Sequence, residues 1–190
     1  MDKYNSKTSF QKWFSSINLT DLSEEAKRFI RSFDSYSKKL DFRTTLKVQL
    51  HAVYEEFPSY REMDRAFLDP HLCKEIGLDS LCHSSLSHKN AELSQEVLME
   101  LFAQLATKFP RQRPSSKTTS LQLIDSTTIP LNKILFPGAK FRKIKSGIKL
   151  HLKLCYLDKD NQYPESFTIT NAEEHDRNHF ENLVDKTEAT

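Results

Sequence analysis

The feature that most constrains this chain is a change of hydrophobic period. Before residue 107 the apolar residues recur every three to four positions, and after residue 120 they recur every two. A helical repeat cannot be laid out as a strand, so the two halves must adopt different architecture. The second half is clearest at Ile148, Leu150, Leu152 and Leu154, which alternate with Lys149, His151, Lys153 and Cys155. That strand has one apolar and one basic face.

The first half reads as all-α. Phe10, Trp13, Phe14 and Ile17 share one helix face, and Leu22, Ala26, Phe29, Ile30 and Phe33 repeat the spacing after the potential N-cap Ser23, with Glu24 and Glu25 in the first turn. A third helix is expected from about Thr44 to Phe57, stopped by Pro58. Tyr60 to Leu68 and His71 to Ile76 follow as short helices, the latter closed by Gly77. Ser84 to Ser87 would cap one long helix whose apolar face runs through Leu93, Val97, Leu98, Leu101, Phe102 and Leu105. The run of short helices from Tyr60 to Asn90 is compatible with a helix-turn-helix-like reader of DNA, with Ser87, Lys89 and Asn90 near the start of the recognition element. The bland alternative is that these residues cap and solvate a helix start.

Residues 107 to 120, with Lys108, Pro110, Arg111, Arg113, Pro114, Lys117 and a Ser/Thr cluster, carry a linker signature. The expected organisation is therefore a helical domain over 1–106, a basic linker over 107–120 and a strand-rich domain over 121–190. In the last of these, Leu121 to Leu131 is a first strand, Ile134 to Ser146 a basic connection, Ile148 to Cys155 a second strand and Tyr163 to Thr170 a third. A helix is expected from Asn171, burying Phe180, Leu183 and Val184.

Charge is segregated along the same boundaries. The whole chain has a net charge of +2, yet residues 107–157 hold 11 Lys+Arg against one Asp+Glu, and residues 158–190 hold 3 against 9. A basic block of this kind raises the local concentration of a phosphate-bearing partner. The candidate DNA contacts in it are Arg111, Arg113, Lys117, Lys140, Arg142, Lys143, Lys145, Lys149 and Lys153. The single acid is Asp125, at the end of the apolar run Leu121, Leu123 and Ile124. A carboxylate held on a rigid strand can donate oxygen to a divalent cation, although a strand-end Asp also serves as a local hydrogen-bond acceptor.

Other classes are disfavoured. With 3 glycines and neither GxGxxG nor GxxxxGK[ST], the nucleotide-binding folds are not indicated. No apolar run is long enough for a transmembrane helix and no secretory signal is read, so export is not expected. Cys73, Cys82 and Cys155 form no CxxC pair, and reduced thiols are the reading. His175 and His179 stand at i, i+4 with His151 in reserve, but no HExxH glutamate accompanies them for a zinc hydrolase.

Three blocks in order then carry a resemblance: Ile124-Asp125-Ser126-Thr127, the run Lys145 to His151, and the run Thr168 to Asp176. With Pro58 to Met63 and Ser84 to His88 ahead of them, they resemble DDE-type transposases of bacterial insertion sequences, in the group that includes the insertion-sequence-four elements. The likeness spans roughly residues 40 to 185. It implies an α+β chain: an all-α N-terminal domain followed by the truncated start of an RNase H-like mixed sheet. It implies that Asp125 is the first carboxylate of a triad holding Mg2+ or Mn2+ ions roughly 3.5 to 4 Å apart, that the partners are transposon-end DNA and other transposase copies, and that the location is cytoplasmic and nucleoid-associated. Asp176 matches a position ahead of a helix rather than a triad member. The second Asp and the Glu of the family lie beyond the matching blocks, so the expectation is a fragment without strand transfer of its own; the alternative is a stand-alone DNA-binding or regulatory piece that inhibits transposition.

Overall fold

The computed structural model describes residues 8–108, 121–142, 145–159 and 162–174, with the backbone alone at 140–142 and 145. The chain is α+β and divides into two compact units, residues 1–105 and 106–190.

The first unit holds seven α-helices: α1 Ser9–Phe14, α2 Glu24–Asp34, α3 Phe42–Tyr54, α4 Tyr60–Ala66, α5 Pro70–Ile76, α6 His83–Ala91 and α7 Gln95–Lys108, with a 3₁₀ turn at Leu19–Asp21. Helix α3 is central, touching α1, α2, α5 and α6. Its inward face carries Phe42 and Val48, both within 1% of complete burial. Phe42 meets the edges of Phe29 and Phe33, at centroid distances of 6.3 and 5.7 Å, a geometry aromatic quadrupoles favour. Buried Thr45 gives its hydroxyl to Leu40 O at 3.3 Å, so the core contains no unpaired hydroxyl there.

Capping side chains set the boundaries. Asp41 accepts Thr44 N–H at 2.7 Å, which starts α3 earlier than periodicity alone suggests. The helix also ends earlier, and Pro58 is not what stops it. Glu56 adopts a left-handed conformation, φ 55°, and Phe57 N–H reaches Ala52 O at 2.9 Å, closing the last turn. Gly77 closes α5 with φ 81°, as expected of a glycine there. The single long helix expected from Ser84 to Leu105 is two helices. Ser94 takes the N–H of Val97 at 3.3 Å and so begins α7 afresh after Glu92. Trp13 and Val53, placed on core faces by periodicity, are 47% and 76% exposed. Helix α7 is pinned to the N-terminal turns by polar clips: Gln104 bonds both N–H and C=O of Asn18, at 3.1 and 2.8 Å, and Glu100 accepts the Ser23 backbone N–H and its hydroxyl.

The second unit contains β1 Leu121–Leu131, β2 Lys140–Arg142, β3 Lys145–Tyr156 and β4 Gln162–Asn171. Every pairing among the described strands is antiparallel. Strand β1 runs along one edge of β3, from Ser146 to Tyr156, so β2 and β4 share the other edge in succession. Two prolines fit because of where they fall. Pro130 lies opposite Gly147, whose N–H and C=O turn the other way, to Ala139 O and Ala172 N–H, so the missing proline donor breaks no ladder bond. Pro164 sits beside a bulge, where the register shifts between Lys153 and Leu154 and leaves Glu165 as the extra residue. The helix expected after Asn171 lies almost wholly outside the described residues. Among the described residues no helix is long and apolar enough to cross a membrane.

Candidate nucleic-acid interface

Asp125 is the fifth residue of an 11-residue strand, so it does not stand at a strand end, and the Ser126-Thr127-Thr128 patch continues the strand rather than turning. Its partner across the sheet is Leu152. Antiparallel partners project from the same face, so Asp125 stands among Leu123, Thr127 and Leu152. The strand is not buried: Leu121, Leu123 and Ile129, on the same face, are 55%, 43% and 41% exposed. Among the described residues no second carboxylate occupies a neighbouring register position on this face. Nor, among them, does any group of three or more His, Cys, Asp or Glu lie where it could hold a metal ion. Hard cations need several anionic oxygens, and one exposed Asp in a leucine surround does not fit a two-metal centre by itself.

The alternate face of β3 holds the basic residues, and it is the buried one. His151 and Lys153 are each 2% exposed and Cys155 7%. The His151 ring Nε2 is 2.9 Å from Thr170 Oγ1. Lys153 Nζ lies 3.1 Å from Glu165 Oε2, at ion-pair distance without the angle of a hydrogen bond. The bulge in β4 is what brings Glu165 to that ammonium. Lys149, half-buried, donates to Glu174 O at 2.9 Å. Of the nine basic candidates, then, Lys153 faces inward and is neutralised, and Lys149 is partly committed. Lys140, Arg142 and Lys145 lie on the β2–β3 hairpin backbone. Arg111, Arg113, Lys117 and Lys143, like His175 and His179, lie outside the described residues.

In the helical unit, Ser87 and Asn90 are exposed on α6. Lys89 turns back instead: its ammonium is 4.0 Å from the Phe33 ring centroid, 3.1 Å from Phe33 O and 2.8 Å from Glu92. The short helix around them is anchored by Leu86, fully buried. At its start, His83 Nδ1 lies 2.8 Å from Asp64, whose carboxyl the bond holds below its usual range. Cys82, exposed at the N-cap, has its thiol pulled down to about 7, chiefly by its hydrogen bond with the Ser84 hydroxyl at 3.0 Å.

Sequence reasoning passed over two features. One is that Cys82 microenvironment, which needs the cap geometry to be seen. The other is the loop between β1 and β2, where Ile134, Leu135 and Phe136 are 89%, 71% and 49% exposed. Its signal was three consecutive apolar residues before Pro137-Gly138, inside an otherwise basic stretch.

Fold and site together define an α+β protein in which a capped helical unit precedes an antiparallel sheet whose surrounding stretch, residues 107–157, holds 11 Lys+Arg against one Asp+Glu. Over 78 residues the chain is 31% identical to a probable transposase for insertion sequence element IS5377 of Geobacillus stearothermophilus, a stretch that covers 40% of this chain and 21% of that protein. The match thus spans about a fifth of the relative's length. No family model matches the chain, and no solved structure matches it.

Proposed function

We propose that the chain has a transposition-related role as a DNA-binding part of an insertion-sequence transposase. The observation that carries this reading is the similarity to the probable transposase of the Geobacillus element. The 11-to-one excess of cations over residues 107–157 supports it, because counterion release from DNA needs such a surface. The DDE type, within the insertion-sequence-four-like group, is the finer part of the proposal. Three antiparallel strands with Asp125 midway along the first agree with the opening of an RNase H-like sheet. In that reading Asp125 supplies one oxygen-donor side chain toward Mg2+ or Mn2+. The role assigned to this chain is DNA binding.

The contacts proposed are Lys140, Arg142 and Lys145 on the hairpin backbone, Lys143, Arg111, Arg113 and Lys117 from the basic stretch of the sequence, and Ser87 and Asn90 on α6. Replacing Lys140, Arg142, Lys143 and Lys145 with Ala should weaken duplex binding and flatten the salt dependence, by about 0.9 in log–log slope for each phosphate no longer neutralised. Absence of salt-sensitive binding by the unaltered chain at low ionic strength would remove the reading. A second reading, a regulatory piece that joins transposase copies and inhibits transposition, is favoured by the exposed leucine face of β1. It requires that adding this chain lower the transposition frequency of an active transposase.

A further inference from the structure

The β1–β2 loop displays its apolar residues on a frame held by four hydrogen bonds. Asn132 Oδ1 accepts Ile134 N–H at 2.9 Å, and Asn132 O accepts Phe136 N–H at 2.9 Å. Phe136 O in turn accepts Ala139 N–H at 3.2 Å across Pro137-Gly138, and Ala139 O receives Gly147 N–H from β3 at 2.8 Å. The asparagine side chain imitates a backbone turn, and the proline fixes φ for the second turn. The loop is thereby tied at one end to β1 and at the other to the middle of the sheet. Its three apolar side chains stand out from turns in which Ile134, Phe136 and Ala139 are tied by hydrogen bonds from their backbone N–H groups.

The surroundings say what kind of partner fits. Lys133 precedes the triplet, and Lys140, Arg142, Lys143 and Lys145 follow it within 9 residues of Phe136, while no Asp or Glu occurs between Asp125 and Asp158. Resting on the DNA reading above, we propose that this loop is an apolar wedge that enters a base step of the bound duplex while the flanking cations hold the phosphates on either side. Wedges of this type use one or two large apolar side chains beside cationic ones, unstack a step and bend the helix axis. A second copy of the chain suits the loop less well, since a two-fold contact would set the same cations against each other. An anionic lipid surface has the right charge, but anchoring strength scales with apolar area, and a turn of three apolar residues offers little.

The test uses the full chain with duplexes that carry 2-aminopurine at T-A and C-A steps, the easiest to open, and a donor–acceptor dye pair at the ends. The unaltered protein should raise 2-aminopurine fluorescence and bend the duplex by about 20–90°. Leu135→Ser with Phe136→Ser should bind with the same salt slope and lose both signals, and Phe136→Trp should retain them. Both sites are solvent-exposed, and an unchanged thermal transition by circular dichroism would show that the serine variant folds. Salt-sensitive binding without unstacking by the unaltered chain, or unstacking that survives in the serine variant, would overturn the wedge and leave the DNA reading standing. No DNA binding at all would overturn both. Loss of dimer in sedimentation, or of flotation with phosphatidylserine vesicles, on serine substitution and without any unstacking by the unaltered chain would reassign the loop to self-association or to a membrane surface.

Discussion

Replacing Lys153 separates a phosphate contact from a structural ion pair, because the two roles predict opposite results. The ammonium is 2% exposed and 3.1 Å from Glu165, whose side chain keeps 27% of its surface accessible. Breaking a buried pair costs about 3–5 kcal/mol when the remaining charge cannot reach water. That condition holds for Lys153 when Glu165 is neutralised, so Glu165→Gln should cost the sheet unit an amount in that range. It holds less well for Glu165 when Lys153 is removed, because the carboxylate can rehydrate; Lys153→Met should cost about 1–3 kcal/mol. The double change Lys153→Met with Glu165→Leu should recover most of the loss, since the pair can be exchanged for apolar packing at little net cost. Hydrogen exchange read by mass spectrometry on β3 and β4 peptides is the suitable assay. About 3 kcal/mol corresponds to more than a hundredfold faster exchange wherever opening of the sheet governs it. DNA binding measured on the same variants should keep its salt slope. If Lys153→Met instead lowers that slope by about 0.9 and leaves exchange unchanged, Lys153 is a phosphate contact and the burial argument is wrong.

Burial lowers the His51 pKa below its ordinary value, outweighing the opposing pull of Glu75, whose carboxylate lies 3.9 Å away. The folded state therefore binds a proton less readily than the unfolded chain, and the helical unit should lose stability as pH falls from about 6.5 through the lower folded value; His51→Gln should flatten that slope in urea titrations at pH 7 and pH 5. Cys82, with its pKa near 7 and an exposed sulfur, should react with iodoacetamide at pH 7 well before half-buried Cys73 or buried Cys155, a ranking that peptide mass spectrometry checks directly. The two left-handed helix ends should respond in opposite directions. Gly77→Ala at φ 81° should destabilise by about 1 kcal/mol although nothing lies within 4 Å of the added Cβ, and Glu56→Gly at φ 55° should stabilise by a similar amount.

The helices were legible where a capping residue coincided with the start or the end of an apolar stripe, as at Ser23 and Gly77 respectively. They were misjudged where a cap interrupted a stripe that continued beyond it. Leu93 and Val97 keep helical spacing across the break at Ser94, and spacing alone cannot report that Ser94 Oγ takes the N–H of Val97. At Glu56 the stop is a backbone conformation uncommon for a residue with a side chain, so no composition rule points to it. The positions of β1, β3 and β4 were readable from the apolar pattern, while β2, three residues inside the stretch read as a basic connection, was not. The role of Asp125 was readable only as a resemblance, and it remains a proposal, because no neighbouring carboxylate among the described residues of its face adds geometry to the motif.

The faces of β3 show why pattern and burial part company. Alternation assigns residues to two sides but says nothing about which side is covered. Hydrophobicity ordinarily decides that, and here it points the wrong way: Lys149, His151, Lys153 and Cys155 occupy the better buried side, while Leu121, Leu123, Ile129 and Ile169 stand 41–55% exposed on the other. Burying the polar side is tolerable because its groups are matched locally, His151 with Thr170 and Lys153 with Glu165. The bulge at Pro164–Glu165 serves this match, since it accompanies the approach of Glu165 to 3.1 Å from Lys153. Asp125 lies on the accessible, leucine-lined side. Asp125 is solvent-exposed there, and whatever covers that face must bring polar or cationic groups to the one acidic position among the leucines.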